Sequence, residues 1–377
     1  MPVRATKRGA ERTPLSGDWD VLICGASFGG LAVARELAGS GARTLIVDRY
    51  EIGERATSAC GIPTEWLHAL GLQEAIQQTF FELVIHTPYG TTRWELPWSF
   101  STFDYRRMCE LLHQQGDADF ETAKVHGRTG DVVHTDRGDV RAQLIVDALG
   151  WRRVLGRAEN VQPPEARLSR GLEVHPHAGG EELEIWIDRS YVPAGYSWSF
   201  PADGEMRVGV GSFDPRHHVK EPTVRLAEDL RVDVVRFQGN WIPHKIRRAT
   251  EDCVFFVGDS AGHCLPTTAE GIRTALYFGL ACGRECRAVL EGRQSTRDAL
   301  SRYASFSRAH AWKFGCLLKV QQIVPRVPPA LLHRVLGLLG HRRLVAWAFG
   351  HYLAIAPPEF ALASPPPAER RSLATAG

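Results

Sequence analysis

Three groups of residues in this chain have the types and spacing to do chemistry. The first is a turn, Gly25-Ala26-Ser27-Phe28-Gly29-Gly30, set between an apolar run from Asp20 to Cys24 and a helix-forming run from Leu31 to Ala38. Gly39-Ser40-Gly41 stops that helix, and Thr44 to Asp48 reads as a second buried strand. A strand-helix-strand unit with glycines in its first turn is suited to a dinucleotide. Gly25 permits the tight turn, Gly30 lets helix and strand pack closely, and the helix N-terminus offers unpaired N–H groups to a pyrophosphate. Ser27 stands where a second glycine is usual; being small, it weakens that approach without abolishing it. Asp48, with Arg49 beside it, ends the second strand, where a carboxylate can bind an adenosine ribose.

The second group is a pair of carboxylates at the ends of later strands. Leu144 to Asp147 is followed by Ala148-Leu149-Gly150, and Cys253 to Val257 is followed by Gly258-Asp259. Pro266 and Glu270-Gly271-Ile272 come next, ahead of an alanine- and leucine-rich helix. Carboxylates at the ends of parallel strands lie at the mouth of the sheet, where ligands bind. Asp259 can accept from a ribityl hydroxyl. A helix starting near Gly271 can aim its N-terminus at a flavin pyrimidine ring, where negative charge develops on reduction. Taken singly, each segment is an ordinary turn with a capping Asp. Both together, in this order after the glycine turn, point to FAD rather than NAD.

The third group is Tyr196-Ser197-Trp198-Ser199-Phe200-Pro201. Strand alternation puts Tyr196, Trp198 and Phe200 on one face, and Pro201 ends the strand. The product is either an aromatic core strand or a rigid wall for a long apolar substrate lying against a flat cofactor.

These motifs resemble those of the FAD-dependent oxidoreductases with the p-hydroxybenzoate hydroxylase fold, and within them most resemble the geranylgeranyl reductase family, over roughly residues 18–292. The Tyr-x-Trp-x-Phe-Pro hexamer is the specific signal; the other motifs are shared by many flavoproteins. The resemblance implies that Gly25, Ser27, Gly29 and Gly30 hold the FAD pyrophosphate, that Asp48, Asp147, Gly258, Asp259, Pro266, Glu270, Gly271 and Ile272 belong to the cofactor site, and that Tyr196, Trp198, Phe200 and Pro201 line an isoprenoid cavity. Cys60-Gly61 matches a Cys-Gly in the family's active-site loop. An arginine near FAD matches Arg106 or Arg107, with Tyr105 occupying one alternative alignment; Arg106 is the expectation. The implied reaction saturates carbon–carbon double bonds of a polyprenyl chain. Hydride goes to one carbon and a proton to the other, with Cys60, a water or Tyr196 as candidate acids and the π faces of Tyr196 and Trp198 steadying positive charge. The electron donor is NAD(P)H or a ferredoxin-like protein. The alternatives are a monooxygenase or hydroxylase on the same fold, a flavin halogenase, and a redox-silent lipid-binding protein. Tyr at 196, Phe at 200 and the absence of Lys between Lys124 and Lys220 argue against the halogenase.

The elements that must position these groups form an α/β chain. The expected layout is a Rossmann-type FAD lobe in three pieces (18–80, 104–156 and 245–292), a β-rich substrate lobe (81–103 and 157–244) and a helical C-terminal portion (293–377). The polar, basic residues 1–17 read as a disordered tail rather than a signal peptide. At 377 residues and 44% hydrophobic, the chain has ample length for a large core, and a net charge of +2 argues against a general nucleic-acid binder. The eight Cys include no Cys-x-x-Cys, so no metal site is expected, and no disulfide framework, so the cytoplasm is the expected compartment. No apolar run is long enough to span a bilayer. Between about Phe314 and Phe360, Leu, Val, Ile and Trp mix with Arg and Pro. That pattern suits an ordinary helical subdomain, or amphipathic helices on the inner face of a membrane or over a greasy tunnel.

Overall fold

The computed structural model describes residues 13–363, apart from 57, 58, 162, 164 and 167. Its first part contains strands β1 (Asp18–Cys24), β2 (Thr44–Asp48), β3 (Gly61–Pro63), β4 (Ile76–Thr87), β5 (Gly90–Phe103), β6 (Asp119–Thr122), β7 (Val125–Thr129) and β8 (Val132–Thr135). Helices α1 (Phe28–Leu37), α2 (Thr64–Ala69) and α3 (Tyr105–Gln114) lie between them. Next come β9 (Gly138–Asp147), β10 (Leu168–Val174), β11 (Leu183–Trp186), β12 (Gly195–Pro201), β13 (Met206–Ser212), α4 (Lys220–Asp229), β14 (Gln238–Pro243), β15 (Thr250–Glu251) and β16 (Val254–Phe256). The remainder is helical: α5 (Ile272–Leu290), α6 (Thr296–Ala309), α7 (Ala311–Ile323), α8 (Pro329–Leu339), α9 (Arg342–Leu353) and α10 (Glu359–Leu362).

Two sheets divide the strands. In the first, β16, β9, β1, β2 and β6 run parallel in that order, with β15 antiparallel at one edge and the β7–β8 hairpin joined to β9. Val21 to Cys24 lie between Thr44–Val47 and Leu144–Asp147 and are fully buried, as a central parallel strand covered on both faces must be. Helix α5 lies against α1 closely enough that a Cβ on Gly279 would fall 2.6 Å from the Gly29 carbonyl oxygen. That contact leaves room only for glycine.

The second sheet has the order β14-β10-β13-β12-β11-β4-β5-β3 and is antiparallel except where β11 runs beside β4. It starts at Gly61 and Ile76, ahead of residue 81, because the beginning of β4 and all of β3 pair with the end of β5. A small core of Val174, Val208, Val210 and Leu226 packs α4 onto this sheet. The sheet's other face, over β4, β5 and β11, is covered by α8 and its flanking turns: Ile85, Leu332 and Leu336 form a separate buried cluster. Leu336 also accepts, through its carbonyl, a hydrogen bond from Trp94 Nε1 at 3.0 Å.

Residues 1–12 of the expected tail lie outside the described residues. Thr13 and Leu15 are tied to Arg137: its guanidinium donates to the Thr13 carbonyl at 3.0 Å, the Leu15 N–H donates to the Arg137 carbonyl at 2.6 Å, and Leu15 is buried.

Candidate functional site

One cavity of about 940 Å³ runs from the glycine turn, between the two sheets, to the underside of α8 and α9. Its polar end is built by the β1-α1-β2 unit. Gly25 has φ +114°, and a side chain there would run into the Ala148 carbonyl; a Cβ on Gly30 would run into the Gly25 carbonyl. Helix α1 has no acid in its first turn, and its N-cap Ser27 makes no capping bond. Ser27 Oγ instead meets the Tyr105 hydroxyl at 3.1 Å. The first-turn N–H groups of α1 therefore face the cavity without a side-chain cap, an arrangement that attracts an anion. Ser27 and Gly29 line the cavity, with Arg49, Arg55, Lys124 and Arg152 around this end.

Asp48 also lines the cavity, and its carboxylate braces the turn, accepting from Ala26 N at 2.9 Å and Tyr50 N at 3.0 Å. Burial raises its pKa, and those two backbone donors work against the rise. Each carboxylate oxygen retains a lone pair for a further donor. Farther along, Gly258, Asp259, Gly271 and Ile272 line the wall, and Gly271 is the N-cap of the nineteen-residue α5. Among the described residues the Asp259 carboxylate has no hydrogen-bond donor, and burial pushes it up to about 6. A half-buried carboxylate without a donor, facing a cavity, is positioned to accept from a ligand hydroxyl.

Several expected cofactor residues sit behind the wall instead. Asp147 is fully buried and does not line the cavity; it clasps its own turn, accepting from Leu149 N at 3.0 Å, Leu155 N at 2.8 Å and Ser260 Oγ at 2.7 Å. Pro266 and Pro201 are buried outside the lining, and the Pro201 carbonyl accepts from Thr102 Oγ1 at 2.7 Å. Glu270 does line the cavity, yet it is engaged by Arg273 at 2.6 Å and by the Tyr352 hydroxyl, tying α9 to the start of α5. Arg106 is exposed and off the cavity; it is Tyr105 that lines it. Arg107 is likewise turned away, to Glu74.

Cys60 is also displaced from its expected role. Its neighbours Ala59 and Gly61 line the cavity, while Cys60, at φ +52°, turns its side chain into the core. Burial pushes its thiol up to about 12, which makes it a poor acid.

The apolar end is a wall and a roof. Tyr196, Trp198 and Phe200 of β12 face the cavity together, as their alternation predicts. Tyr196 donates its hydroxyl to the Thr268 carbonyl at 2.6 Å, and desolvation raises its pKa. The wall continues across β5 through Trp94, Leu96, Trp98 and Phe100, which the sequence reading did not single out. Their period-two spacing was the available signal. The roof comes from Leu332, Leu336 and Leu339 of α8 and Phe349 and Leu353 of α9.

Polar groups are few on this apolar side, and Glu173 is one of them. Its Oε2 accepts from Trp198 Nε1 at 3.2 Å and its Oε1 meets His175 Nε2 at 2.9 Å. His175 Nδ1 meets Glu205 Oε1 at 3.1 Å. Burial opposes a charge on His175, but its two carboxylate partners raise it to about 9. Burial likewise opposes a charge on Glu205, but His175, Arg207 and Arg236 lower it to about 2. Sequence reasoning missed this chain of groups, because Glu205 and Arg236 reach it from the turns ahead of β13 and β14.

No family model matches this chain. Digeranylgeranylglycerophospholipid reductase 3 of Methanosphaera stadtmanae is 27% identical over 332 residues, covering 78% of this chain and 83% of that protein. The solved structure of a geranylgeranyl bacteriochlorophyll reductase-like protein from Thermoplasma acidophilum superposes with a TM-score of 0.78 at 18% identity, over 92% of this chain and 98% of that one. A probable FAD-dependent monooxygenase from Pseudomonas aeruginosa gives a TM-score of 0.61 at 19% identity, over 89% of this chain and 100% of its own. The fold is thus that of the FAD-dependent oxidoreductases. Within that class, the chain is a relative of the geranylgeranyl-type reductases.

Proposed function

We propose that this protein is an FAD-dependent oxidoreductase that saturates carbon–carbon double bonds in a polyprenyl chain. The observation that carries this is the single cavity joining a dinucleotide cradle to an apolar, aromatic-walled trough. FAD fits the residues present. The N-terminus of α1 and the surrounding cations suit its pyrophosphate, Asp48 its ribose, the donor-free Asp259 a ribityl hydroxyl, and the N-terminus of α5 its pyrimidine edge. Bound and reduced, FAD would supply the hydride.

The protein's own contribution is position and dryness. Trp198 and its β5 counterparts give a flat, rigid wall for an extended chain, and α8 and α9 keep water from a trough where a cationic carbon would otherwise be quenched. The indole face of Trp198 stabilises positive charge close by. The electron donor in this proposal is NAD(P)H or a ferredoxin-like protein.

The proposal includes a lipid surface. Between Asp298 and Glu359 the chain has no acidic residue, against Arg302, Arg308, Lys313, Lys319, Arg326, Arg334, Arg342 and Arg343. The same helices expose Trp312 at 68%, Leu338 at 69% and Trp347 at 65%. Apolar side chains within a purely basic stretch match an anionic bilayer. Among the described residues no helix is long and apolar enough to cross a membrane.

The test is to incubate the reduced, FAD-loaded protein anaerobically with a digeranylgeranyl phospholipid and weigh the product. A gain of two hydrogens per bond is expected. A product that forms only after air is admitted and contains oxygen would replace the reductase with a monooxygenase.

A further inference from the structure

Saturating an alkene takes a proton as well as a hydride, and the expected acids are poorly placed or poorly tuned. Cys60 is off the cavity, and the Tyr196 hydroxyl is committed to the Thr268 carbonyl. Glu173 is different. It lines the cavity while its side chain is only 4% exposed, and it touches the indole of Trp198. The backbone makes room for that pairing: a Cβ on Gly209 would fall 2.8 Å from Glu173 Cβ and would strike the Trp198 ring. A buried glutamate beside an apolar trough carries a desolvation cost that its partners must offset.

Resting on the reductase activity proposed above, we propose that Glu173 delivers the proton that completes double-bond reduction, and that His175 recharges it from solvent at the edge of the sheet.

The geometry is a relay along one face of the sheet, from the trough to the sheet's edge. Glu173 faces the trough, His175 follows two residues further along the chain, and Glu205 lies beyond at a 22% exposed edge, next to Arg236 at 43%. Among the described residues, the charged groups facing His175 are Glu173 of β10, Glu205 and Arg207 at β13, and Arg236 ahead of β14, with Gln238 Nε2 at 3.5 Å. Arg207 and Arg236 hold Glu205 ionised, so the mobile proton of the set is the one shared by His175 and Glu173. A prenyl chain filling the trough strips water from Glu173. Loss of water disfavours the carboxylate and draws the shared proton onto it.

In the transfer, the alkene π pair forms the new C–H bond with the Glu173 proton, and the other carbon takes the hydride with its two electrons from the reduced cofactor. Glu173 is left as a carboxylate and regains a proton from His175 Nε2. His175 regains one from solvent. Glu173 is the catalytic acid and His175 a positioning and recharging residue.

The test uses FAD-loaded protein and two readouts. In ¹⁵N-histidine NMR, His175 should titrate near 9 and shift toward an ordinary histidine value in Glu173→Gln. In anaerobic mixing of the reduced protein with geranylgeranyl diphosphate, Glu173→Gln should slow flavin reoxidation about 100-fold while FAD content and dithionite reduction stay unchanged, with Glu173→Asp recovering part of the rate. The wild-type rate should fall as pH rises through about 9, a result that needs no variant to fold. A wild-type rate that stays flat through that pH, or a Glu173→Gln rate near wild type, overturns the relay and leaves the reductase standing. A wild-type flavin that no prenyl lipid reoxidises overturns both.

Discussion

Trp198 is wedged between Gly209 and Glu173, so its substitution has separable effects. Trp198→Ala removes the aromatic wall and the donor to Glu173 Oε2, but touches nothing at the glycine turn. FAD content should be unchanged and alkene-dependent flavin reoxidation should fall at least tenfold; an unchanged rate with FAD bound would remove the wall from its assigned place. The charged set beside Trp198 also sets pH limits on stability. His175 is raised from 6.5 to about 9, so its contribution is complete below 6.5 and is lost as pH rises through about 9. Glu205 is lowered from 4.5 to about 2, so its contribution is present above 4.5 and lost as pH falls through about 2. Thermal melts across pH should therefore lose an alkaline decline in His175→Ala; an unaltered alkaline limb would mean the pair is uncoupled from folding. At this scale the aromatic hexamer was legible, because alternation alone puts three rings on one face. Cys60 was not, because its left-handed backbone turns the thiol inward, and nothing in the chain order reveals that. Glu173 and His175, two apart, had the spacing of one strand face, but their significance depends on Glu205 and Arg236, which only pairing across strands brings near.

At the scale of elements, the cradle depends on how closely α1 and α5 approach. The Gly29–Gly279 contact has no room for a side chain, so Gly279→Val must push α5 away and move the Gly271 end along with Asp259. Overpacking of this kind costs about 1–3 kcal/mol. The expected outcome is a lowered Tm with FAD lost on gel filtration; a variant that melts and binds FAD normally would contradict the tight-contact account. The strand-turn-helix order of this lobe was readable from its glycines, because each answers a specific steric demand. The roles of α8 and α9 were harder to read. Leu332 and Leu336 face inward while Leu331 and Leu338 face outward, so both sides of α8 are apolar and periodicity cannot separate roof from surface. For the proposed lipid surface, Leu338→Glu with Trp347→Glu should cut cosedimentation with phosphatidylserine vesicles severalfold while leaving the melting temperature unchanged. Equal binding to phosphatidylcholine vesicles, or no effect of the double substitution, would reject an anionic lipid face.

At the scale of the whole molecule, two sheets with different logic share one cavity. The parallel sheet ends its strands at a cradle for a charged, flat ligand, and the antiparallel sheet offers one broad aromatic face to an apolar one. A net charge of +2 conceals an uneven layout, with a basic stretch free of acids gathered in the helical end that roofs the apolar trough. In the proposed reaction, electrons pass from a cofactor in the cradle to a double bond in the trough. The most direct test is a single anaerobic turnover of the dithionite-reduced, FAD-loaded protein with geranylgeranyl diphosphate, following flavin absorbance and prenyl mass in the same sample. Flavin should reoxidise without oxygen, and each reoxidised flavin should appear as one saturated double bond. Flavin that stays reduced until air enters, with the prenyl mass unchanged, would contradict this reaction.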